Sequence, residues 1–441
     1  MDLPRRALVL GFQRTGRAVA AVLAARGVRV RAADRRRDLV PADVPAGVEL
    51  RLGEDGEELL RDVELVVPSP GVPADTHVLV AACRRGIPVW SEIELAYALL
   101  ECPIVAITGT NGKSTVTTLV GLALVRAGLR TFVGGNLGTP LIAAVGQGPE
   151  VAVAEVSSFQ LEWVHRFRPA VGCLLNVTPD HLDRHAGLEE YRDAKARLFA
   201  AQRGSDFAVV NRDDPEAWRV AGGLRARVLS FGAAPVECGA FAGEGFAALR
   251  LPDAAEERYG LGRTRLTGAH NVENIMAAVT IARLAGASPA AIQAAIDEME
   301  ALPHRLALVA ERAGVRWYDD SKATNVGAAA RSVDSFAGPV ILLAGGVGKG
   351  GGYDLLVRSA TGKVRLALVF GAARDALAAA LGAAGVAVER VGSLDEAVRR
   401  AASAARPGDT VLLAPACASF DMFADYAARG RAFCAAVEGL A

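Results

Sequence analysis

The sequence predicts an α/β fold of three blocks, each built on a largely parallel sheet, and three observations carry that prediction. The chain has 441 residues, roughly three times a usual domain of ~150. Apolar runs alternate with amphipathic stretches throughout, the pattern of strand-helix-strand units. Each of three blocks opens on a buried-type strand, at Ala7-Leu8-Val9-Leu10-Gly11, at Ile104-Val105-Ala106-Ile107-Thr108-Gly109 and near Val315-Arg316-Trp317-Tyr318. Boundaries are expected near residues 91 and 302, where Pro88-Val89-Trp90-Ser91 and Leu302-Pro303-His304 interrupt the pattern.

Composition narrows the function. Apolar residues make up 51% and charged residues 22%, enough to bury several cores and too little charge bias for disorder. Lys+Arg and Asp+Glu balance at 49 each, so no global field favours nucleic acid or an anionic membrane. No apolar run approaches the ~18–20 residues of a membrane helix, and the first strand turns polar at Gln13-Arg14 before a signal core could form. A cytoplasmic protein without membrane insertion is expected. The six cysteines are scattered without paired spacing, most in apolar stretches, which favours buried thiols over disulfides or a zinc knuckle.

Only five basic residues are lysines: Lys113, Lys195, Lys322, Lys349 and Lys363. Arginine serves wherever plain positive charge is needed. A lysine here therefore points to what a guanidinium cannot supply, a compact point charge or an amine that can lose its proton and react. Lys363, in an ordinary helix-to-strand connection, is read as chance.

In the first block, Gly11-Phe12-Gln13-Arg14-Thr15-Gly16 lies between a strand and a helix, and a second strand ends at Asp34. This Rossmann-like layout offers a helix N-terminus to a diphosphate and an acid to a ribose hydroxyl or base edge. Gln13 stands where a dinucleotide fold has its middle glycine, which disfavours a nicotinamide site. Pro68-Ser69-Pro70-Gly71-Val72-Pro73 follows Leu65-Val66-Val67 at the edge where ligands of such sheets sit; a structural turn reads equally well.

The second block holds Gly109-Thr110-Asn111-Gly112-Lys113-Ser114-Thr115. Glycines let backbone N–H groups wrap phosphate oxygens, Lys113 neutralises the terminal phosphates, and Ser114 or Thr115 can hold Mg²⁺. Ile107 replaces the first glycine of the general pattern, which shortens the loop. The strand Val151-Ala152-Val153-Ala154-Glu155 delivers a carboxylate at its end, costly to bury without a cation and suited to magnesium. His181 follows the next strand, Val171 to Val177; His165 and His185 are read as solvated hydrogen-bonding residues. Lys195 lies in the helical stretch Tyr191 to Leu198, where a buried neutral amine could take up CO₂ and become an anionic metal ligand.

The phosphate loop, Glu155-Val156-Ser157-Ser158-Phe159-Gln160-Leu161 and Asn176-Val177-Thr178-Pro179-Asp180-His181 occur in the order seen in the Mur ligases, which the chain resembles over essentially its whole length. The resemblance implies a Rossmann-like N-terminal domain (1–91) for the UDP-sugar, a central P-loop ATPase-type α/β domain (92–301) for ATP and a Rossmann-like C-terminal domain (302–441) for the amino acid. It implies two Mg²⁺ sites with Ser114, Glu155, His181 and Lys195, the last as a carbamate. Asn136, in Gly134-Gly135-Asn136, would face substrate and phosphate, Asn271 and Asn274 the adenine, and Arg305 the nucleotide from the hinge. Gln13, Arg14, Thr15, Asp34, Arg35, Gly71 and Ser157 fall at UDP-sugar positions.

Within the family, Asp319-Asp320-Ser321-Lys322-Ala323-Thr324-Asn325 resembles the branch that adds D-glutamate to UDP-N-acetylmuramoyl-L-alanine. Lys322 and Thr324 at a helix start suit a carboxylate, Asp320 can reach the ribose or phosphates, and Lys349 on Gly345 to Gly350 faces an anion. Ser419 is implied at the α-carboxylate of glutamate, and Tyr426 replaces a pocket phenylalanine. The expected activity is that of an ATP-dependent acid–amino acid ligase of peptidoglycan precursor synthesis, working through an acyl phosphate and as a monomer. A ligase for L-glutamate keeps the same motifs. A nicotinamide dehydrogenase leaves the phosphate loop unexplained, and a non-catalytic nucleotide-binding scaffold has no use for Glu155, His181 and Lys195 together.

Overall fold

A computed structural model describes residues 3–39, 44–182, 184–266 and 268–440. It contains three sheets. The first has strands β1 (Arg6–Leu10), β2 (Arg29–Asp34), β3 (Val48–Leu52) and β4 (Leu65–Pro68) in the order β3-β2-β1-β4, all parallel. Val66 and Leu8 from these strands pack with Leu79 and Ala82 of the helix His77–Arg84.

The second sheet comprises β5 (Ile104–Thr108), β6 (Thr131–Gly135), β7 (Val151–Glu155), β8 (Val171–Leu174), β9 (Phe207–Asn211), β10 (Arg227–Gly232), β11 (Gly239–Gly243), β12 (Phe246–Arg250) and β13 (Glu257–Gly260). Their order is β13-β12-β11-β10-β9-β8-β5-β7-β6. The run from β6 to β11 is parallel, and β12 and β13 extend it antiparallel. β5, β7 and β8 are buried at every position, as strands covered on both faces must be. The helix Lys113–Arg126 is buried along most of its length, which is why it reads as apolar on all sides rather than amphipathic.

The third sheet has β14 (Ala307–Arg312), β15 (Val315–Asp319), β16 (Val340–Gly345), β17 (Val364–Phe370), β18 (Val388–Arg390) and β19 (Thr410–Leu413) in the order β14-β15-β19-β16-β17-β18, with only β14 antiparallel. Alternate residues feed two cores: Leu342 and Val369 on one face, Ile341 and Leu368 on the other. The chain packs as two compact units, one of Met1–Val177, Glu189–Arg263 and Glu273–Asp297, the other of Thr178–Leu188, Thr264–Val272 and Glu298–Ala441. All six cysteines are free; Cys173 and Cys417 are buried, whereas Cys83 is exposed, so the expectation of buried thiols holds for only some of them.

Candidate active site

In the first unit, the turn after β1, the end of β2 and the loop after β4 enclose a cavity of about 650 Å³ lined by Gln13, Arg14, Thr15, Asp34, Arg35 and Gly71, together with Asn136 and Gln160. Six of the seven residues expected at the sugar-nucleotide site are thus brought to one space, Ser157 being the exception. The helix Arg14–Ala24 begins after Gln13, whose side chain makes no capping bond, the kind of helix N-terminus that suits an anion. Gly16 permits this turn, since a Cβ there would collide with the Gly11 carbonyl. The β4 loop is pinned to the same turn by Ser69 Oγ donating to Gly11 O at 2.8 Å.

Asp34 is engaged within the protein. Its carboxylate accepts the N–H groups of Phe12 (2.9 Å) and Arg36 (3.0 Å) and two guanidinium bonds from Arg36 (3.1 and 3.0 Å). Burial opposes the charge, but these donors outweigh it and hold the carboxyl down at about 2. With its amide oriented to satisfy its bonds, Gln13 accepts from the same guanidinium. Arg36 is therefore the residue that organises this wall, and the run Arg35-Arg36-Arg37 gave no signal as to which arginine pairs with Asp34.

Ser157 caps the short helix Ser158–Leu161 in a reciprocal capping box with Gln160. Gln160, rather than Ser157, lines the cavity. Behind it Glu92, 1% exposed, accepts from Ile142 N–H (2.6 Å) and Gln160 Nε2 (3.4 Å). Burial pushes its carboxyl up to about 7 against these bonds and the charge of Arg14.

The phosphate loop leaves β5 and enters the helix Lys113–Arg126 through Gly112, at φ 87° and with no side-chain cap. A Cβ at Gly112 would collide with Asn274 Oδ1, so Asn274 stands against the loop. Lys113 Nζ donates to Gly109 O and Thr110 O, both at 2.8 Å. Asn176 clamps the loop from β8: its carbonyl accepts Thr110 N–H, its Oδ1 accepts Asn111 N–H at 2.8 Å, and its Nδ2 donates to Asn111 O at 3.1 Å. The motif Asn176 to His181 was legible in the sequence, whereas the clamping task of Asn176 was not.

Glu155, 3% exposed at the end of β7, accepts Ser114 Oγ at 2.5 Å and Asn136 Nδ2 at 2.6 Å. A buried carboxylate beside a loop hydroxyl is the donor set that a phosphate-bound Mg²⁺ uses, so these residues fit the ion. Among the described residues no three His, Cys, Asp or Glu side chains form a ready-made metal cage. Lys195, on the helix Leu188–Ala196, is 1% exposed; its Nζ donates to Gly109 O at 3.0 Å and lies 4.3 Å from the Tyr191 ring centroid. Thr115 is buried beside Ser114.

The second unit holds the remaining candidates. Three neighbouring parallel strands, β15, β19 and β16, send the loops of Lys322, Ser419 and Lys349 off their carboxyl ends, the edge where open α/β sheets bind ligands. Lys322 Nζ lies 3.8 Å from the Tyr426 ring centroid, and Lys349 Nζ is 3.5 Å from Thr324 Oγ1. Ser419 is buried. Lys349 also pairs with Asp180 at 3.0 Å, and Asn325 donates to the same carboxylate at 2.9 Å. Burial works against the Asp180 charge, yet Lys349 and His181 keep its pKa below the ordinary value.

His181 follows directly, at φ 54°, with its N–H on Asp180 Oδ1. His185 is 3% exposed, a correction to its reading as solvated; His165 contacts Val89 O at 2.9 Å. Desolvation pushes the Asp320 carboxyl up to about 6 despite Ser332 and the charge of Arg305. Arg305 also acts on His270, which burial first and then Arg331 and Arg305 hold down at about 4. Asn271 is buried at the start of the helix Ala269–Leu284.

Residues 5–91 match the Mur ligase MurD-like N-terminal domain, 107–282 the Mur ligase middle domain and 304–417 the Mur ligase glutamate ligase domain. The UDP-N-acetylmuramoylalanine--D-glutamate ligase of Geobacter metallireducens is 45% identical, covering 98% of this chain and 97% of its own. The protein of that name from Anaeromyxobacter dehalogenans is 47% identical over 97% of this chain and 96% of its own. A pseudomurein peptide ligase type C from Methanothermus fervidus shares the fold, with a TM-score of 0.60 at 20% identity, covering 93% of this chain and 96% of its own. With three family domains in sequence and near full-length relatives at this identity, the chain belongs to the Mur ligase family.

Proposed function

We propose that this chain is an ATP-dependent ligase that joins the L-alanine carboxylate of UDP-N-acetylmuramoyl-L-alanine to the amine of D-glutamate, releasing ADP and phosphate, in peptidoglycan precursor synthesis. One observation carries the reading. Asn136 lines the sugar-nucleotide cavity and at the same time donates to Glu155, which accepts from Ser114 of the phosphate loop. That line of three side chains joins the place where a nucleotide-linked carboxylate would end to the place where a terminal phosphate would lie.

When bound, Mg-ATP supplies a phosphoryl group that converts the unreactive L-alanine carboxylate into an acyl phosphate, whose phosphate the incoming amine displaces. Lys113 can turn from the loop carbonyls to the terminal phosphates. Ser114 and Glu155 would hold one Mg²⁺ and His181 a second, with Gly109, Thr110, Asn111, Gly112 and Thr115 around the phosphates. Asn271, Asn274, Arg305 and Asp320 would serve the rest of the nucleotide. Lys322, Thr324, Lys349, Ser419 and Tyr426 would hold glutamate, and Gln13, Arg14, Thr15, Asp34, Arg35, Gly71 and Ser157 would serve the UDP-sugar side. The division into domains at 1–91, 92–301 and 302–441 and a cytoplasmic location accompany this assignment.

Lys195 is assigned as a carbamate formed by attack of its neutral amine on CO₂ with loss of a proton. Its burial favours the neutral amine and supports this; Gly109 O and the Tyr191 ring favour the ammonium. The experiment for the whole reading is product mass and phosphate release with ATP, Mg²⁺ and UDP-N-acetylmuramoyl-L-alanine, given D- or L-glutamate separately. Product with D-glutamate alone is expected. Product with L-glutamate alone overturns the amino-acid assignment, and no product with either overturns the activity.

A further inference from the structure

Arg429, in the first turn of the helix Tyr426–Glu438, is 0% exposed and has no part in the scheme above. Its guanidinium donates to Ser321 Oγ (2.9 Å), Ser321 O (2.8 Å), Cys417 O (3.1 Å) and Gly345 O (3.3 Å). All four acceptors are neutral. Burial draws its pKa down to about 10, outweighing the charges of Cys417, Asp421 and Asp319, which favour the cation. An unpaired buried cation is expensive, and a methionine of similar length would fill the space at lower cost.

The acceptors show what the cation organises. Ser321 precedes Lys322, Gly345 opens the glycine loop of Lys349, and Cys417 lies two residues before Ser419. Ser321 Oγ in turn donates to Tyr426 O at 2.8 Å. The close approach of these loops is built in, since a Cβ at Gly346 would collide with the Ala418 carbonyl and crowd the guanidinium. A planar group with five donors in fixed directions can hold three loops at once, which an ammonium cannot.

We propose that Arg429 is a positioning residue for the amino-acid site: it fixes the loops that carry Lys322, Lys349 and Ser419, and its buried charge favours a dicarboxylate amino acid in the pocket without touching it. The inference rests on the glutamate reading above. Its test is steady-state kinetics on the full chain for Arg429→Met, Arg429→Lys and Ser321→Ala, with each substrate varied in turn and melting temperatures recorded.

Arg429→Met is expected to raise KM for D-glutamate by roughly tenfold or more while KM for ATP and for the UDP-sugar stays within about twofold, with Arg429→Lys and Ser321→Ala intermediate. An unchanged KM for D-glutamate, or a parallel rise of all three KM values, overturns the proposal. Should Arg429→Met fail to fold, the other two variants decide by the same criterion. Wild-type product with D-glutamate is measured first: its absence removes the glutamate reading, whereas its presence with unaltered variants removes only the role of Arg429.

Discussion

Lys195 and Glu92 are each 1% exposed, and burial weighs against the charged form of both side chains. Lys195 was legible because lysine is rare here, and Tyr191 lies one helical turn before it; the contact with Gly109 was not, since it joins residues 86 positions apart. Incubation with ¹³CO₂ and Mg²⁺ is expected to give a carbamate carbon signal that Lys195→Arg lacks; an identical spectrum for both proteins contradicts the assignment. Glu92 gave no sequence signal, because nothing in Ser91-Glu92-Ile93 says that the carboxyl turns inward. Its folded pKa of about 7 lies above the ordinary 4.5, so the folded state holds a proton that the unfolded chain releases. Stability from this group is therefore full below about 4.5 and declines as pH rises through 7, by up to ~3 kcal/mol. Glu92→Gln should flatten that decline in melts between pH 5 and 8; an unaltered slope contradicts the origin. Asp34 illustrates the reverse: the sequence placed an acid at a strand end, but not the arginine that engages it.

At the scale of elements, what was legible is what has a local cause. Buried strands followed by glycine turns announced the three sheets and the phosphate loop, because only backbone without a side chain can make those close approaches. Strand order had no such cause, and the extension of the second sheet by β11, β12 and β13 depends on pairings that alternation alone does not specify. Asn176 belongs here, since a single amide couples β8 to the loop after β5. Asn176→Ala is expected to raise KM for ATP by about tenfold and to cost ~1–2 kcal/mol of stability, the loss of two partly buried hydrogen bonds. Unchanged ATP kinetics would show that the loop holds its shape without the clamp.

Across the whole molecule, each sheet gathers its candidate site residues at the carboxyl ends of its strands: Asp34 and the Gly11 turn in the first, Glu155 and the phosphate loop in the second, Lys322, Lys349 and Ser419 in the third. The motifs made this division readable. What they could not show is that Thr178–Leu188 and Thr264–Val272 pack with the C-terminal segment, because such short segments carry no boundary signal of their own. No helix among the described residues is long and apolar enough to cross a membrane. In the proposed reaction the line Asn136-Glu155-Ser114 leads the substrate carboxylate to the phosphate, so that one carboxylate oxygen leaves with it. The most direct test is the mass of phosphate released from UDP-N-acetylmuramoyl-L-alanine labelled with ¹⁸O in its alanine carboxylate, in the presence of D-glutamate. Phosphate carrying one ¹⁸O per turnover is predicted; amide product accompanied by unlabelled phosphate would contradict it.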